Sequence, residues 1–236
     1  MSSLLYELPR IVDEGKKEVE KILERIASAD RLALQTNEIV FPAKDSADAK
    51  LFREGAFNEE EWMNRLIYGD NLLAMQALLS GDRESGLPSM RGKIDLIYVD
   101  PPFDSKADYR TKVMLPGIDL EQKPTAFEQF AYSDTWKDGT VSYLKMLYPR
   151  LVLMRELLSD KGSMYVHIDW HVGHYVKILL DDIVGKNNFV NEIIWQGAIG
   201  DSSAKNKKFI KSHDTLFFYR KTEGDPVWMD VFQEFS

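Results

Sequence analysis

The stretch that decides the fold is Lys93-Ile94-Asp95-Leu96-Ile97-Tyr98-Val99-Asp100, which runs directly into Pro101-Pro102-Phe103. A nearly unbroken apolar run is typical of a strand buried on both faces, as in a parallel sheet covered by helices. Proline has no backbone N–H for the sheet, so the strand must end where the prolines begin. The sequence therefore predicts a central strand with the Asp100 carboxylate at its carboxyl end.

Strand and helix patterns alternate on either side of this run. Further strands are predicted at 65–70, 163–169, 189–195 and 215–220, and helices at 71–80, 140–159 and 172–184, with a bend or break at Pro149. Alternation of this kind predicts an α/β fold with a doubly wound, mainly parallel sheet. Residues 104–139 show no sustained period, which is typical of a functional lid, a binding loop or a disordered segment.

The first 61 residues have a different character. A charged amphipathic helix is predicted over 7–30, and the pattern then dissolves between 36 and 61 into short apolar islands among charged residues. We interpret 1–61 as a helical arm and linker, with the globular part beginning at residue 62.

Composition excludes several classes of protein. The chain has 236 residues, no cysteine, and 38 acidic against 30 basic side chains, for a net charge of −8. Without cysteine there is no disulfide framework, no thiolate metal site and no sulfur nucleophile for attack on a pyrimidine ring carbon. No apolar run is long enough to span a bilayer and the first residues lack a secretion signal, so we expect a cytoplasmic protein. The acidic balance argues against a chain that holds nucleic acid unaided.

Two aspartates are predicted at the carboxyl ends of strands, Asp70 and Asp100. In an open parallel α/β sheet, ligands bind in the crevice outside those ends, so both carboxylates are expected to face one cleft. An aspartate before a helix is also a common amino-terminal cap, and this alternative stays open for Asp70.

The motif Asp100-Pro101-Pro102-Phe103 suits chemistry on an exocyclic amino group of a nucleobase. The lone pair of such a nitrogen is delocalised into the ring, and two acceptors aimed at its hydrogens favour a pyramidal, nucleophilic nitrogen. The Asp100 carboxylate and the Pro101 carbonyl are candidates for those acceptors, and Phe103 offers a flat face for an extruded base. The alternative is a strand stopped by prolines, with an aromatic side chain filling the core.

With these residues the sequence resembles the amino-methylating DNA methyltransferases of the permuted β-class, which include the modification subunits of type III restriction systems. The resemblance runs from about 66 to 221 and is carried by an ordered series of segments: 68–73, 95–103, 149–158, 162–169, 189–195 and 213–216.

The resemblance implies a Rossmann-like fold and transfer of a methyl group from S-adenosylmethionine to a flipped base in double-stranded DNA. It implies that Asp100, Pro101, Pro102 and Phe103 are catalytic and that Asp70 and Asp100 contact the cofactor. Phe103 stands where tyrosine is commoner, and aspartate at the first motif position favours adenine N6 over cytosine N4. Methylation of RNA or of a protein glutamine is a less favoured alternative.

The glycine-rich cofactor loop of that family is absent, since no Gly-x-Gly occurs in the chain. We therefore expect the amino-terminal part of such an enzyme: 62–196 as its catalytic half and 197–236 as the start of a target-recognition region. The expected partners are DNA and either a restriction subunit or a carboxyl-terminal half. The alternative function is a non-catalytic fragment or split subunit that needs a second chain carrying the loop.

Two further clusters remain. One brings together His167, Asp169, His171 and His174; a metal site is possible there, but we favour satisfied polar groups at a strand end and predict no metal. The other, Lys205, Lys207, Lys208 and Lys211, is either a solvated loop or a set of DNA-phosphate contacts.

Overall fold

The computed structural model describes residues 3–27, 34, 64–81, 86–102, 111–115, 118–122, 139–197 and 212–228. The helices are α1 (Leu4–Ala27), α2 (Asn71–Ser80), α3 (Thr140–Leu157) and α4 (Gly173–Leu180). The strands are β1 (Ile94–Val99), β2 (Thr111–Leu115), β3 (Ile118–Gln122), β4 (Leu158–Ile168), β5 (Phe189–Gln196) and β6 (His213–Arg220). A π-helical turn (Asp181–Gly185) and a 3₁₀ turn (Lys186–Asn188) join α4 to β5.

Four strands form one sheet in the order β1-β4-β6-β5. β1 pairs with β4 in parallel, whereas β6 pairs in antiparallel fashion with both β4 and β5. Thus β1, β4 and β5 point the same way and β6 is reversed between its neighbours. The described part of the chain is a mixed α/β structure. The prediction of a mainly parallel sheet holds for the direction of three of these four strands, but not for their pairing, because two of the three described ladders of this sheet contain the reversed β6.

Three other predictions differ from the structure. Residues 65–70 form no strand and lie outside the sheet, with Leu66 fully exposed. The region 104–139 contains an antiparallel hairpin of β2 and β3, although no element was predicted there. α3 is a single helix that includes Pro149 and is not broken at it.

All four described helices lie on one side of the sheet. α3 and α4 cover the inner face of β4 and β6, α1 packs on α3, and α2 packs between α1, α3 and the start of β1. The central residues of this core come from α3, α4 and the two middle strands: Leu144, Leu147, Leu151, Met164, Val166, Ile168, Val176, Leu179, Phe217 and Tyr219. Burial of these side chains is the main source of stability. None of the described helices is long and apolar enough to cross a membrane.

The opposite side of the sheet carries apolar side chains without a helix over them in the described part of the chain. This open sheet face is formed by Leu96 and Tyr98 on β1 and Ile193 and Trp195 on β5, which are 38–61% exposed. β1 was predicted to be buried on both faces, and this prediction is wrong for its outer face. A doubly wound arrangement needs helices on both sides, so the described residues show only one of its two layers.

Candidate active site

Asp100 lies where the sequence predicts it, directly after the last residue of β1. Its side chain is 53% exposed. Pro101 is buried and Pro102 is half-buried, so the backbone after Asp100 turns into the protein while the carboxylate stays accessible. A carboxylate at the carboxyl end of a parallel strand faces the crevice in which α/β proteins bind ligands.

His167 on β4 lies beside Asp100, and the sequence reasoning did not foresee this arrangement. Nδ1 of His167 is 3.6 Å from Oδ1 of Asp100 and 2.9 Å from the Tyr98 hydroxyl. Nε2 on the other side of the ring is 3.6 Å from Oδ2 of Asp214, the second residue of β6. The imidazole is only 15% exposed. Three neighbouring strands therefore bring two carboxylates, one phenol and one imidazole to a single edge.

The strand register explains why these groups meet. Tyr98 pairs with Tyr165, and His167 pairs with Leu216, so their side chains share the open sheet face. Alternation along each strand indicates which residues share a face. It does not indicate which strands are neighbours, and the meeting of His167 with Asp214 depends on that.

Asp70 lies at the amino end of α2 and not at the end of a strand. One carboxylate oxygen, Oδ1, accepts hydrogen bonds from the backbone N–H groups of Leu72 and Leu73 at 2.8 and 3.2 Å. This geometry satisfies two N–H groups that have no partner within the helix. The predicted strand end is therefore wrong for Asp70, and the amino-terminal cap is the role that the structure shows.

Arg150 on α3 joins α3 to the start of α2. Its Nε donates to the side-chain oxygen of Asn71 at 2.6 Å, and one terminal nitrogen donates to the Met146 carbonyl at 2.7 Å. The other terminal nitrogen is 3.9 Å from Oδ2 of Asp70. Burial lowers the pKa of Arg150, and the charges of Asp70 and Glu18 oppose that shift. Sequence reasoning missed Arg150 because its partner on α2, Asn71, is 79 residues away along the chain.

The start of α2 points toward the same edge of the sheet as Asp100. The far end of α2 is joined to the segment before β1, where the Met90 N–H donates to the Leu78 carbonyl. That segment also meets the end of α3, since the Lys93 N–H donates to the Leu157 carbonyl. α2 therefore runs opposite to β1, and its first residues lie toward the end of β1 that carries Asp100.

The histidine-rich stretch after β4 divides into two separate arrangements. His171 pairs with Asp169 through Nδ1 and Oδ2, and its backbone N–H donates to the other oxygen of Asp169 at 3.1 Å. His167 instead contacts the Asp100 side of the sheet. In the described part of the chain no group of three or more His, Asp or Glu side chains is arranged to hold a metal ion.

Some predicted site residues fall outside the described ranges. These are Phe103 and the four lysines Lys205, Lys207, Lys208 and Lys211. Their assigned roles remain predictions, as do those of Asp100, Pro101, Pro102 and Asp70 in catalysis and cofactor contact.

The two aspartates fit a ligand that carries a positive charge and hydroxyl groups, as S-adenosylmethionine does. Both side chains are about half exposed, at 53% for Asp100 and 54% for Asp70. Oδ1 of Asp70 is engaged in the cap, but a carboxylate accepts several hydrogen bonds, and Oδ2 is 3.9 Å from the nearest terminal nitrogen of Arg150. Each aspartate therefore has a carboxylate oxygen that can accept a hydrogen bond from a ligand.

Comparison with known proteins agrees with the resemblance noted in the sequence. The family model for N6/N4 methyltransferases, described as DNA methylase, matches residues 94–233, which is more than half of the chain. The type II methyltransferase M.EcaI of Enterobacter cloacae is 30% identical over 178 residues, covering 74% of this chain and 34% of that protein. The Mod subunit of the type III restriction-modification enzyme EcoP15I of Escherichia coli is 27% identical over 169 residues, covering 67% of this chain and 24% of that subunit.

A solved structure titled PvuII DNA methyltransferase (cytosine-N4-specific) matches 68% of this chain and 49% of its own, with 18% identity and a TM-score of 0.37. The chain spans about a quarter to a third of the length of the two curated relatives named above. The family model is matched over the segment that begins with β1 and includes Asp100 and Pro101. On that match the chain belongs to the N6/N4 DNA methylase family.

Proposed function

We propose that this chain carries the catalytic motif of a DNA amino-methyltransferase that modifies an exocyclic amino group of a flipped base, with adenine N6 as the favoured target. The observation that carries the proposal is the position of Asp100: an accessible carboxylate at the carboxyl end of β1, followed by a buried proline, in a chain of the N6/N4 DNA methylase family.

Asp100 and Pro101 are proposed to act on the amino group of the base. Oδ of Asp100 and the carbonyl oxygen of Pro101 each accept a hydrogen bond from one amino hydrogen, which directs the nitrogen lone pair away from the ring. The two prolines restrict the backbone at this point, so the Pro101 carbonyl is held in place before the base arrives. Phe103 is proposed to stack on the base.

The proposed cofactor is S-adenosylmethionine, which supplies a methyl group on a positively charged sulfur. In this proposal the methyl donor and the amino group meet beside Asp100, whose negative charge favours the cation. Asp70, at the start of α2 on the same edge, is proposed to contact the adenosine part of the cofactor. Lys205, Lys207, Lys208 and Lys211 are proposed to contact DNA phosphates.

The direct test is methyl transfer to DNA by the full-length protein with Asp100→Asn, which keeps the size of the side chain and removes its charge. We expect transfer to fall at least 1,000-fold while DNA affinity changes less than three-fold, since general acid–base groups contribute about 10²–10⁴-fold. Asp95→Asn is the matched control, because Asp95 lies at the other end of β1 and bonds to Ser159. Equal loss of transfer and DNA binding, or full activity of Asp100→Asn, would count against the assignment.

Mass analysis of the digested DNA product identifies the base. Detection of N6-methyladenine supports adenine as the target. Detection of N4-methylcytosine would make cytosine the target and would leave the amino-methyltransferase assignment unchanged.

A second candidate is favoured by the open sheet face. An exposed apolar surface of this kind marks an interaction site, and the chain contains no Gly-x-Gly. In this alternative the chain is one part of an enzyme and gains activity only with a second segment or chain that carries the glycine-rich loop. Calorimetry of the 236-residue chain with S-adenosylmethionine separates the two candidates, because micromolar binding by this chain alone contradicts the need for a second part.

A further inference from the structure

The cluster around His167 supports an inference about the fate of the proton that the base loses. We propose that His167 is a positioning residue that acts through Asp100: it takes over the proton that Asp100 has accepted from the base. This inference rests on the proposed function, because it assumes that Asp100 meets the amino group.

The contacts of His167 assign different roles to its two nitrogens. A neutral imidazole has one donor and one acceptor nitrogen, and its partners select which is which. The Tyr98 hydroxyl is within hydrogen-bond distance of Nδ1, and when it donates to Nδ1 the ring proton is on Nε2, which lies on the side of Asp214. Nδ1 is then the acceptor, and it faces both the Tyr98 hydroxyl at 2.9 Å and Asp100 at 3.6 Å.

This arrangement parallels the general rule that a catalytic base is oriented by a third group behind it. Asp214, His167 and Asp100 lie in one row across β6, β4 and the end of β1. The Asp100 carboxylate is the most exposed of the three at 53%, and the imidazole behind it is 15% exposed. The exposed carboxylate is thus accessible to a substrate, while the shielded imidazole lies on its inner side.

In the proposed route the proton passes from the base to Asp100, then to His167 and finally to water. After the methyl group has joined the amino nitrogen, one N–H bond breaks and the proton moves to an oxygen of Asp100. The hydrogen bond from the Tyr98 hydroxyl to Nδ1 then breaks as that hydroxyl turns away; the O–H bond of Asp100 breaks and a bond to Nδ1 of His167 forms, which restores the Asp100 carboxylate and leaves an imidazolium ion. The imidazolium lies between the carboxylates of Asp100 and Asp214, which stabilise its positive charge, and it later releases the proton to water. The gap of 3.6 Å between Nδ1 and Asp100 must shorten in the complex, as catalytic hydrogen bonds often do.

His167 can be replaced without opening the core. Its neighbours Val166 and Ile168 point into the core and are fully buried, whereas the His167 side chain lies on the opposite side of β4. His174 on α4 is exposed and provides a matched histidine control.

The test measures kcat and KM of the full-length enzyme for His167→Gln and His167→Ala. We expect kcat to fall 10- to 100-fold, with KM for DNA and for S-adenosylmethionine within two-fold of wild type, and His174→Gln to be unchanged. Added imidazole is expected to raise kcat of His167→Ala at least five-fold, because a free imidazole can occupy the space and accept a proton. A purely structural role predicts no such rescue.

Asp214→Asn leaves position 167 unchanged, so it tests the inference even if the His167 variants do not fold. Asp214→Asn keeps the shape of the side chain and removes one of the two carboxylates that face the imidazolium, so kcat should fall three- to ten-fold. Values of kcat within two-fold of wild type in both His167 variants overturn the inference, and so does a loss in those variants without imidazole rescue when Asp214→Asn is within two-fold of wild type. If Asp100→Asn is itself fully active, it is the proposed function that fails; if Asp100→Asn is inactive and the His167 variants are normal, only the present inference fails.

Discussion

The Tyr219 hydroxyl donates a hydrogen bond of 2.7 Å to Oδ1 of Asp181, and this bond joins the carboxyl end of β6 to the π-helical turn after α4. The next residue of the turn, Asp182, accepts a bond of 3.0 Å from Tyr148 on α3. Lys177 pairs with Asp181 at 2.8 Å and lies over the ring of Phe189 at 4.1 Å. Two adjacent carboxylates thus connect α3, α4 and β6 behind the sheet.

This pair of bonds predicts a loss of stability in alkali. Burial, followed by the hydrogen bond to Asp181 and its charge, raises the pKa of Tyr219. Burial and Asp182 likewise raise the pKa of Tyr148. Because the pKa of each tyrosine is higher in the folded protein than in the unfolded chain, the neutral hydroxyl stabilises the fold. This contribution to the free energy of unfolding is complete below the pKa of tyrosine in the unfolded chain, about 10, and is lost progressively as the pH rises above it.

Urea unfolding at pH 8 and at pH 10.5 measures this effect. The free energy of unfolding should fall between these two pH values in the wild type and fall less in Tyr219→Phe, which has no ionisable hydroxyl at that position. At pH 8 the same variant should lose about 1 kcal/mol through its missing hydrogen bond. An identical pH dependence in wild type and variant contradicts the prediction.

Asp70 caps α2 and is also proposed to contact the cofactor, and two substitutions distinguish these roles. Asp70→Ala should lower the free energy of unfolding by about 1 kcal/mol, because two backbone N–H groups lose their acceptor. Asp70→Ser keeps an acceptor oxygen for the cap but removes the charge, so its stability should stay within about 0.5 kcal/mol of wild type.

The same two variants test whether Asp70 contacts the cofactor. If it does, S-adenosylmethionine affinity falls in both Asp70→Ala and Asp70→Ser, as measured by calorimetry with the full-length protein. Undiminished affinity in the serine variant would leave the cap as the only role of Asp70.

The crossing of α1 over α3 depends on a glycine. A Cβ atom built on Gly15 would lie 2.2 Å from Cδ1 and 2.9 Å from Cε1 of Tyr148. Tyr148 is 1% exposed, so its ring has little room to move. Overpacking costs about 1–3 kcal/mol, which exceeds the gain of up to about 1 kcal/mol from replacing glycine by alanine in a helix.

Gly15→Ala should therefore be less stable than wild type by about 1–2 kcal/mol in urea unfolding. Lys17→Ala, at an exposed position of the same helix, is the control and should change little. Combining Gly15→Ala with Tyr148→Leu should recover part of the loss. A stabilised Gly15→Ala would mean that α1 does not lie so close to α3.

Much of the local structure could be predicted from the sequence. β1 was expected over 93–100 and spans Ile94–Val99, and α2 was expected at 71–80 and has these bounds. Both follow from local chemistry: the prolines end β1 at Asp100, and the apolar spacing with the Gly81 cap sets α2. A strand is also predicted over 65–70, but in the structure this segment pairs with no strand of the described sheet and Leu66 is exposed.

The sequence by itself determined the order of elements around the Asp-Pro-Pro motif, the position of Asp100 at a strand end and the family resemblance, because each depends on residues close together in the chain. Only the tertiary structure decided the reversed direction of β6, the exposure of the outer face of β1, the capping role of Asp70 and the contact of His167 with both Asp100 and Asp214. Strand neighbours and register are set by hydrogen bonds and packing between segments far apart in sequence, and side-chain alternation within one strand does not encode them.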